Sequence, residues 1–209
     1  SPVEGEDNVS ITACRTVEGY SGRVGRCTAG ALYGVNGAAD RLFLTGDPEL
    51  PNYDRYSGQN DPTYWPDTAY AVLGTQASAI VGYTIISGYL AAHKDGMEDG
   101  RNIILREGVL TDGEGAVAPH SFAYLCNEPL FLTRLGVYAV TPQDVTGEKY
   151  AQSRSFYVNE RLTREANLAD AAAAVYRDMY WLCTGDAAYI LDGLQYAAAK
   201  DAPYSSRQY

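Results

Sequence analysis

Four short stretches decide the fold: Arg41-Leu42-Phe43-Leu44-Thr45-Gly46, Gly88-Tyr89-Leu90-Ala91-Ala92-His93, Pro129-Leu130-Phe131-Leu132-Thr133-Arg134 and Met179-Tyr180-Trp181-Leu182-Cys183-Thr184. Each is apolar and aromatic or aliphatic enough to favour a strand. Aligned on Leu44, Leu90, Leu132 and Leu182, they recur at steps of 46, 42 and 50 residues. Recurrence of similar β-units at roughly 40–50 residues is the sequence mark of a propeller built from four-stranded blades.

The flanks of each stretch repeat as well. Ala29 to Tyr33, Ala79 to Ile86, Ser121 to Cys126 and Ala172 to Tyr176 read as preceding strands. The turns between fall at Asn36-Gly37, Ser87-Gly88, Asn127-Glu128 and Arg177-Asp178, residue types that tolerate positive φ or cap their own backbone. Ile103 to Leu105, Val137 to Val140 and Ala188 to Leu191 read as following strands. The unit is an antiparallel meander, and the expected fold is all-β, with four blade-like meanders forming a β-propeller or part of a larger one. A β-sandwich is the alternative, because its strands also recur at short intervals. Val9 to Cys14, Tyr53 to Ser57, Ala69 to Leu73 and Ala151 to Val158 are candidates for the fourth strands, and Glu160 to Ala174 is the one stretch with helical spacing. The expectation is a single β domain over residues 1–209, beginning Ser1-Pro2-Val3 without methionine, as an excised middle portion of a longer protein.

A net charge of −10 argues against a nucleic-acid partner, which requires a basic face. No apolar run approaches the roughly 20 residues of a membrane-spanning helix, so neither nucleic acid nor membrane is expected as a partner. The four cysteines, Cys14, Cys27, Cys126 and Cys183, form no Cys-x-x-Cys pair. Cys126 and Cys183, inside apolar runs, read as buried free thiols. A Cys14–Cys27 disulfide is the competing reading.

The chemistry-bearing stretch runs from Asp47 to Asp67, with prolines at 48, 51, 62 and 66. Tyr53, Tyr56, Tyr64 and Trp65 there supply aromatic faces, and Asp54, Asn60, Asp61 or Asp67 supply hydroxyl-binding groups, together a sugar-binding composition. The plainer and preferred reading is that these aromatics pack a long loop onto the sheet. No catalytic site, metal site or cofactor is expected. The acidic residues show no spacing that selects a glycosidase pair. His93 and His120 lie in different units and read as loop histidines. Asp95 to Gly100 and Asp112 to Gly115 read as solvated turns rather than calcium loops.

The runs Gly34 to Pro48 and Tyr56-Ser57-x-x-Asn60-Asp61-Pro62-Thr63-Tyr64-Trp65-Pro66-Asp67, followed in order by Ser78 to Tyr83, Glu128 to Leu132, Gly136 to Ala139 and Arg154-Ser155, resemble uncharacterised structural proteins encoded by tailed phages and prophages of gut Firmicutes. The likeness covers roughly Val9 to Gln195. It resembles propeller-bearing tail and neck proteins, whose members are longer and in which the stretch from Leu110 to Ser121 is more extended. What the resemblance implies is a non-enzymatic virion protein, assembled in the bacterial host cytoplasm. Its implied partners are other tail or neck subunits and further copies of itself. A propeller recognising host surface glycans is the alternative, and a glycoside hydrolase a more distant one.

Overall fold

The computed structural model describes residues 20–34, 39–86, 88–98, 101–105, 110–111, 115–142 and 149–193. The protein is all-β. A short helix α1 (Tyr20–Gly25) leads into a first antiparallel sheet of β1 (Ala29–Tyr33), β2 (Arg41–Thr45), β3 (Tyr53–Tyr56) and β4 (Tyr70–Val72). The second sheet holds β5 (Ile80–Ile86), β6 (Tyr89–Glu98), β7 (Arg101–Leu105) and β8 (Leu110–Thr111). The third holds β9 (Ala123–Leu125), β10 (Glu128–Thr133), β11 (Gly136–Pro142) and β12 (Lys149–Ser153). After the single turn α2 (Asn159–Leu162) and a 3-10 turn at Leu168–Asp170, the fourth sheet holds β13 (Ala172–Tyr176), β14 (Met179–Cys183) and β15 (Ala188–Asp192). In every sheet the strands lie side by side in chain order, so each is a meander.

The four meanders stack face to face in series, and the burial of their strands shows why. In β10, Pro129 to Thr133 are all buried, and in β6 so are Leu90 to Lys94. A strand apolar on both sides needs cover on both sides. β1, by contrast, alternates half-buried with exposed. Three apolar clusters fill the gaps between consecutive sheets. Phe43 and Leu73 meet Ile80, Tyr83, Leu90 and Ala92. Ile86, Ala91 and Ile103 meet Phe131 and Val140. Leu125, Leu130 and Leu132 meet Tyr180, Leu182 and Leu191, with Leu162 of α2 beneath them.

The meanders superimpose in register when aligned on the last pair of their first hairpin, Tyr33↔Arg41, Ile86↔Tyr89, Leu125↔Glu128 and Tyr176↔Met179. On that alignment Phe43, Ala91, Leu130 and Trp181 are equivalent, and the first three face the following sheet. Leu44 and Leu182 correspond to Ala92 and Phe131. The expected alignment on Leu44, Leu90, Leu132 and Leu182 is therefore corrected. Leu90 and Leu182 face the preceding sheet, whereas Leu132 faces the following one. A shift of one residue moves a strand's side chain to the other face, and an apolar run buried on both faces hides that shift.

Further expectations are corrected. His93 is no loop residue: it is fully buried in β6, which continues through Asp95 and Gly96 to Glu98. Cys126 and Cys183 are exposed. The first hairpin of the third sheet turns at Cys126-Asn127, both with positive φ (51° and 64°), and this places the thiol outside the sheet. Of the candidate fourth strands, Tyr53 to Ser57 instead supplies β3, the third strand of the first sheet, while Ala69 to Leu73 supplies its fourth, β4. The helical spacing of Glu160 to Ala174 yields only α2 and a 3-10 turn before β13 begins at Ala172. Val9 to Cys14, Asn36-Gly37 and Asp112 to Glu114 lie outside the described residues.

Candidate functional site

The loop from Asp47 to Asp67 is tied down group by group. The Asp47 carboxylate accepts from Arg26 Nε at 3.0 Å and from the Glu49 amide at 3.1 Å, while Arg26 also reaches Glu49 at 2.8 Å. Burial pushes the Asp47 carboxyl up, but the Arg26 guanidinium and the Glu49 amide outweigh it and hold it below the usual carboxylate range. Further on, the Leu42 amide donates to Ser57 Oγ at 3.0 Å and the Gly58 amide to the Tyr64 carbonyl at 2.7 Å. Asp61 accepts from both the amide and the hydroxyl of Thr63, at 2.9 and 2.6 Å, and these bonds lower its carboxyl pKa. Trp65 spends its indole N–H on the Pro62 carbonyl at 2.9 Å.

These constraints place the candidate residues in separate surroundings, with Asp54 buried under the second sheet's Tyr83. Tyr56 turns inward, packing on Phe43 at a ring separation of 5.6 Å with the Arg41 guanidinium over its face. Tyr53 lies on the opposite face of β3 and stacks on Tyr70 at 5.0 Å, with Arg55 over it. Asn60, Asp61 and Tyr64 are exposed at the loop tip, while Trp65 and Asp67 are half-buried. Asn60 stands at a φ of 55°. The loop tip, rather than a joint platform, is what remains open to a ligand. Among the described residues no group of three or more His, Cys, Asp or Glu side chains is placed to hold a metal, and no helix is long and apolar enough to cross a membrane.

Two other surfaces stand out, neither of them marked in the sequence. Phe156 and Tyr157, between the third and fourth sheets, are 75% and 66% exposed and meet edge to face at 5.6 Å. They adjoin a shallow depression edged by Glu160, Arg161, Arg164 and Glu165. The second surface is double: the face of the first sheet turned away from the second, and the face of the fourth turned away from the third. The former carries Leu32, Leu44, Tyr53, Tyr70 and Val72, with Leu32 59% and Val72 51% exposed, beside Arg55, which pairs across the strands with Leu44 and Tyr70 and is buried at 2%. The latter carries Tyr176, Trp181 and Cys183, with Tyr176 60% exposed and the Trp181 indole nitrogen buried. Exposed apolar residues on these faces thus stand beside buried side chains, and neither face is open throughout. The half-apolar repeat that signals strands cannot tell an end sheet from an interior one.

Fold and surface together define an all-β protein of serial antiparallel meanders. The chain matches no protein-family model and no curated protein.

Proposed function

We propose that the chain is a non-enzymatic structural protein of a phage virion, a component of the tail or neck whose meanders are set as blades of a β-propeller or of part of one. The observation that carries the reading is the serial stacking: three apolar cores in a row join four sheets. A body whose sheets are all joined through apolar cores suits a scaffold. Three cores in series favour blades over a two-sheet sandwich, which has one core between its layers. The loop that looked most like a ligand site uses most of its polar groups on itself, which supports assembly over recognition of a small ligand.

Mass spectrometry of purified particles tests the proposal. The expected result is the protein at a fixed ratio to the other tail proteins, with deletion of its gene giving tail-defective particles. Its absence from particles, or hydrolysis of polysaccharide or ester substrates well above background by the purified protein, would overturn the reading.

A further inference from the structure

We infer that the junction between the second and third sheets is an acid-opened joint: protonation of His93 raises the population of a state in which these two sheets part, while the first stays packed on the second and the third on the fourth. The inference goes beyond the virion reading and does not rest on it.

His93 is fully buried in β6, on the face turned to the third sheet. Its ring lies 4.4 Å from that of Phe131 in β10 and 5.2 Å from that of Phe122, the residue just before β9. Nε2 has a partner, Thr84 Oγ1 at 2.6 Å, and Nδ1 is buried with no hydrogen bond. The neutral imidazole leaves one polar atom unsatisfied there. An imidazolium is a donor at both nitrogens, so its second N–H would bring charge into the aromatic cluster with no acceptor to meet it. Burying an unpaired charge costs far more than burying a neutral polar group.

Nothing described around the ring offsets that cost. β5 presents Gly82 and Thr84 to it, and β7 presents Ile103. Opposite them lie Phe131, Val140, Tyr138, Phe122 and Ala116. Tyr138 is the one titratable side chain in this set, and a phenol carries no charge in acid. The charged neighbours on β6 are engaged elsewhere. Lys94 reaches the Leu73 and Thr75 carbonyls of the opposite side at 2.8 and 3.1 Å. Asp95 accepts from Ser78 Oγ and the Ala79 amide at 3.1 and 2.8 Å. Burial alone accounts for the lowered pKa of the ring.

The ring regains water once the second and third sheets part, without the rest of the fold coming undone. The other two junctions hold no buried imidazole. The first is an apolar layer in which Tyr83 Oη donates to Asp54 at 2.8 Å. The third is an apolar layer in which Tyr180 Oη donates to the Ser121 carbonyl at 2.8 Å. Carboxylates and phenols ordinarily keep their protonation state between pH 6.5 and 4.5. His120, beside the third junction, is exposed, so water reaches it in the closed state too. Acid therefore loosens the second junction selectively. Above about pH 6.5 the imidazole is neutral open or closed. Below it the open state takes up a proton that the closed state excludes, and opening gains about tenfold per pH unit.

Hydrogen exchange of single amides, read by NMR on the 209-residue chain, tests this. Two amides cross the second junction. Ile85 donates to Tyr124 Oη at 2.6 Å, and Ala116, bridged to Thr133 of β10, donates to the Lys94 carbonyl at 3.0 Å. Ile80 crosses the first junction to the Pro51 carbonyl at 2.8 Å, and Ala173 crosses toward the third sheet to the His120 carbonyl at 2.8 Å. With the intrinsic pH dependence of exchange divided out, the opening constants of Ile85 and Ala116 are expected to rise about 100-fold between pH 6.5 and 4.5. Those of Ile80 and Ala173 are expected to stay level. His93→Leu is expected to level all four, and His93→Gln stands in if that variant does not fold. An equal rise at all four amides would place the proton uptake in global unfolding and overturn the joint. So would no rise at Ile85 and Ala116, or a rise there that survives in the variant.

Discussion

The ring of Phe122 lies directly over Gly82: a β-carbon on Gly82 would stand 2.3 Å from Phe122 Cε2 and 2.7 Å from Cδ2. β5 bulges here, its register shifting between Ile80 and Gly82, and the missing side chain admits Phe122, the residue just before β9. Phe122 in turn stacks on Phe131 at 5.8 Å and meets His93 at 5.2 Å. Gly82→Ala therefore drives a whole aromatic cluster apart. It is expected to destabilise the fold by about 1–3 kcal/mol, the usual cost of overpacking. Urea denaturation checks this, with an unchanged slope showing that the native state stays compact.

His93 sits in that cluster, 4.4 Å from the Phe131 ring, with Nε2 2.6 Å from Thr84 Oγ1 and Nδ1 buried without a hydrogen bond. Burial lowers its pKa from 6.5 to about 3. The folded chain thus keeps the imidazole neutral while the unfolded chain protonates it below pH 6.5. Stability is full above that value and falls as pH drops toward 3, by up to about 1.4 kcal/mol per pH unit. Between pH 6.5 and about 4.5, before carboxylates contribute much, the loss is expected to reach about 2–3 kcal/mol. Denaturation midpoints across that range measure it. His93→Leu is expected to flatten the dependence whatever its own cost, and a wild-type profile with no slope there would refute the assignment.

His93 also shows what the sequence could and could not reveal. The stretch Gly88 to His93 announced a strand, but the polar run after it looked like a turn. In fact Lys94 is buried by donating Nζ to the Leu73 and Thr75 carbonyls, at 2.8 and 3.1 Å. Those partners lie some 20 residues away, and nothing local marks them. The meanders were legible because their hairpin turns and apolar runs are local signals. Which face each leucine takes was not, because β6 and β10 are apolar on both sides and period two is lost. The tyrosines of the Asp47–Asp67 loop were legible as a cluster in sequence. Three residues' separation along β3 then sent Tyr53 and Tyr56 to opposite faces.

Cys126 and Cys183 project into solvent, whereas Cys27 is half-buried and donates Sγ–H to the Arg23 carbonyl at 3.4 Å. Burial pushes the Cys27 thiol up, with Asp47 adding to the shift, so its thiolate fraction at neutral pH is reduced. In a Cys14→Ala background, a thiol-reactive chromophore added to native protein is expected to label two thiols quickly. The third should react at least about tenfold more slowly, given its lower thiolate fraction and restricted access. Three equal rates, or one fast thiol only, would contradict the placement.

Asp54 and Tyr83 join the first two sheets through a buried bond, Tyr83 Oη donating to Asp54 Oδ1 at 2.8 Å. Burial raises the Tyr83 pKa well above its ordinary value and the neighbouring carboxylate raises it further, so the phenol remains a donor throughout the accessible pH range. A bond to a charged acceptor in such a site contributes about 1.5–3 kcal/mol. Tyr83→Phe removes the donor and leaves the carboxylate short of one partner. Asp54→Asn keeps the shape and removes the charge. A double-mutant cycle with these two substitutions isolates the pair from the rest of the junction. The coupling expected is about 1–2 kcal/mol favourable, since Asn retains a weaker acceptor. A coupling indistinguishable from zero would mean that the first junction is held by its apolar layer of Phe43, Leu73, Ile80 and Leu90 alone.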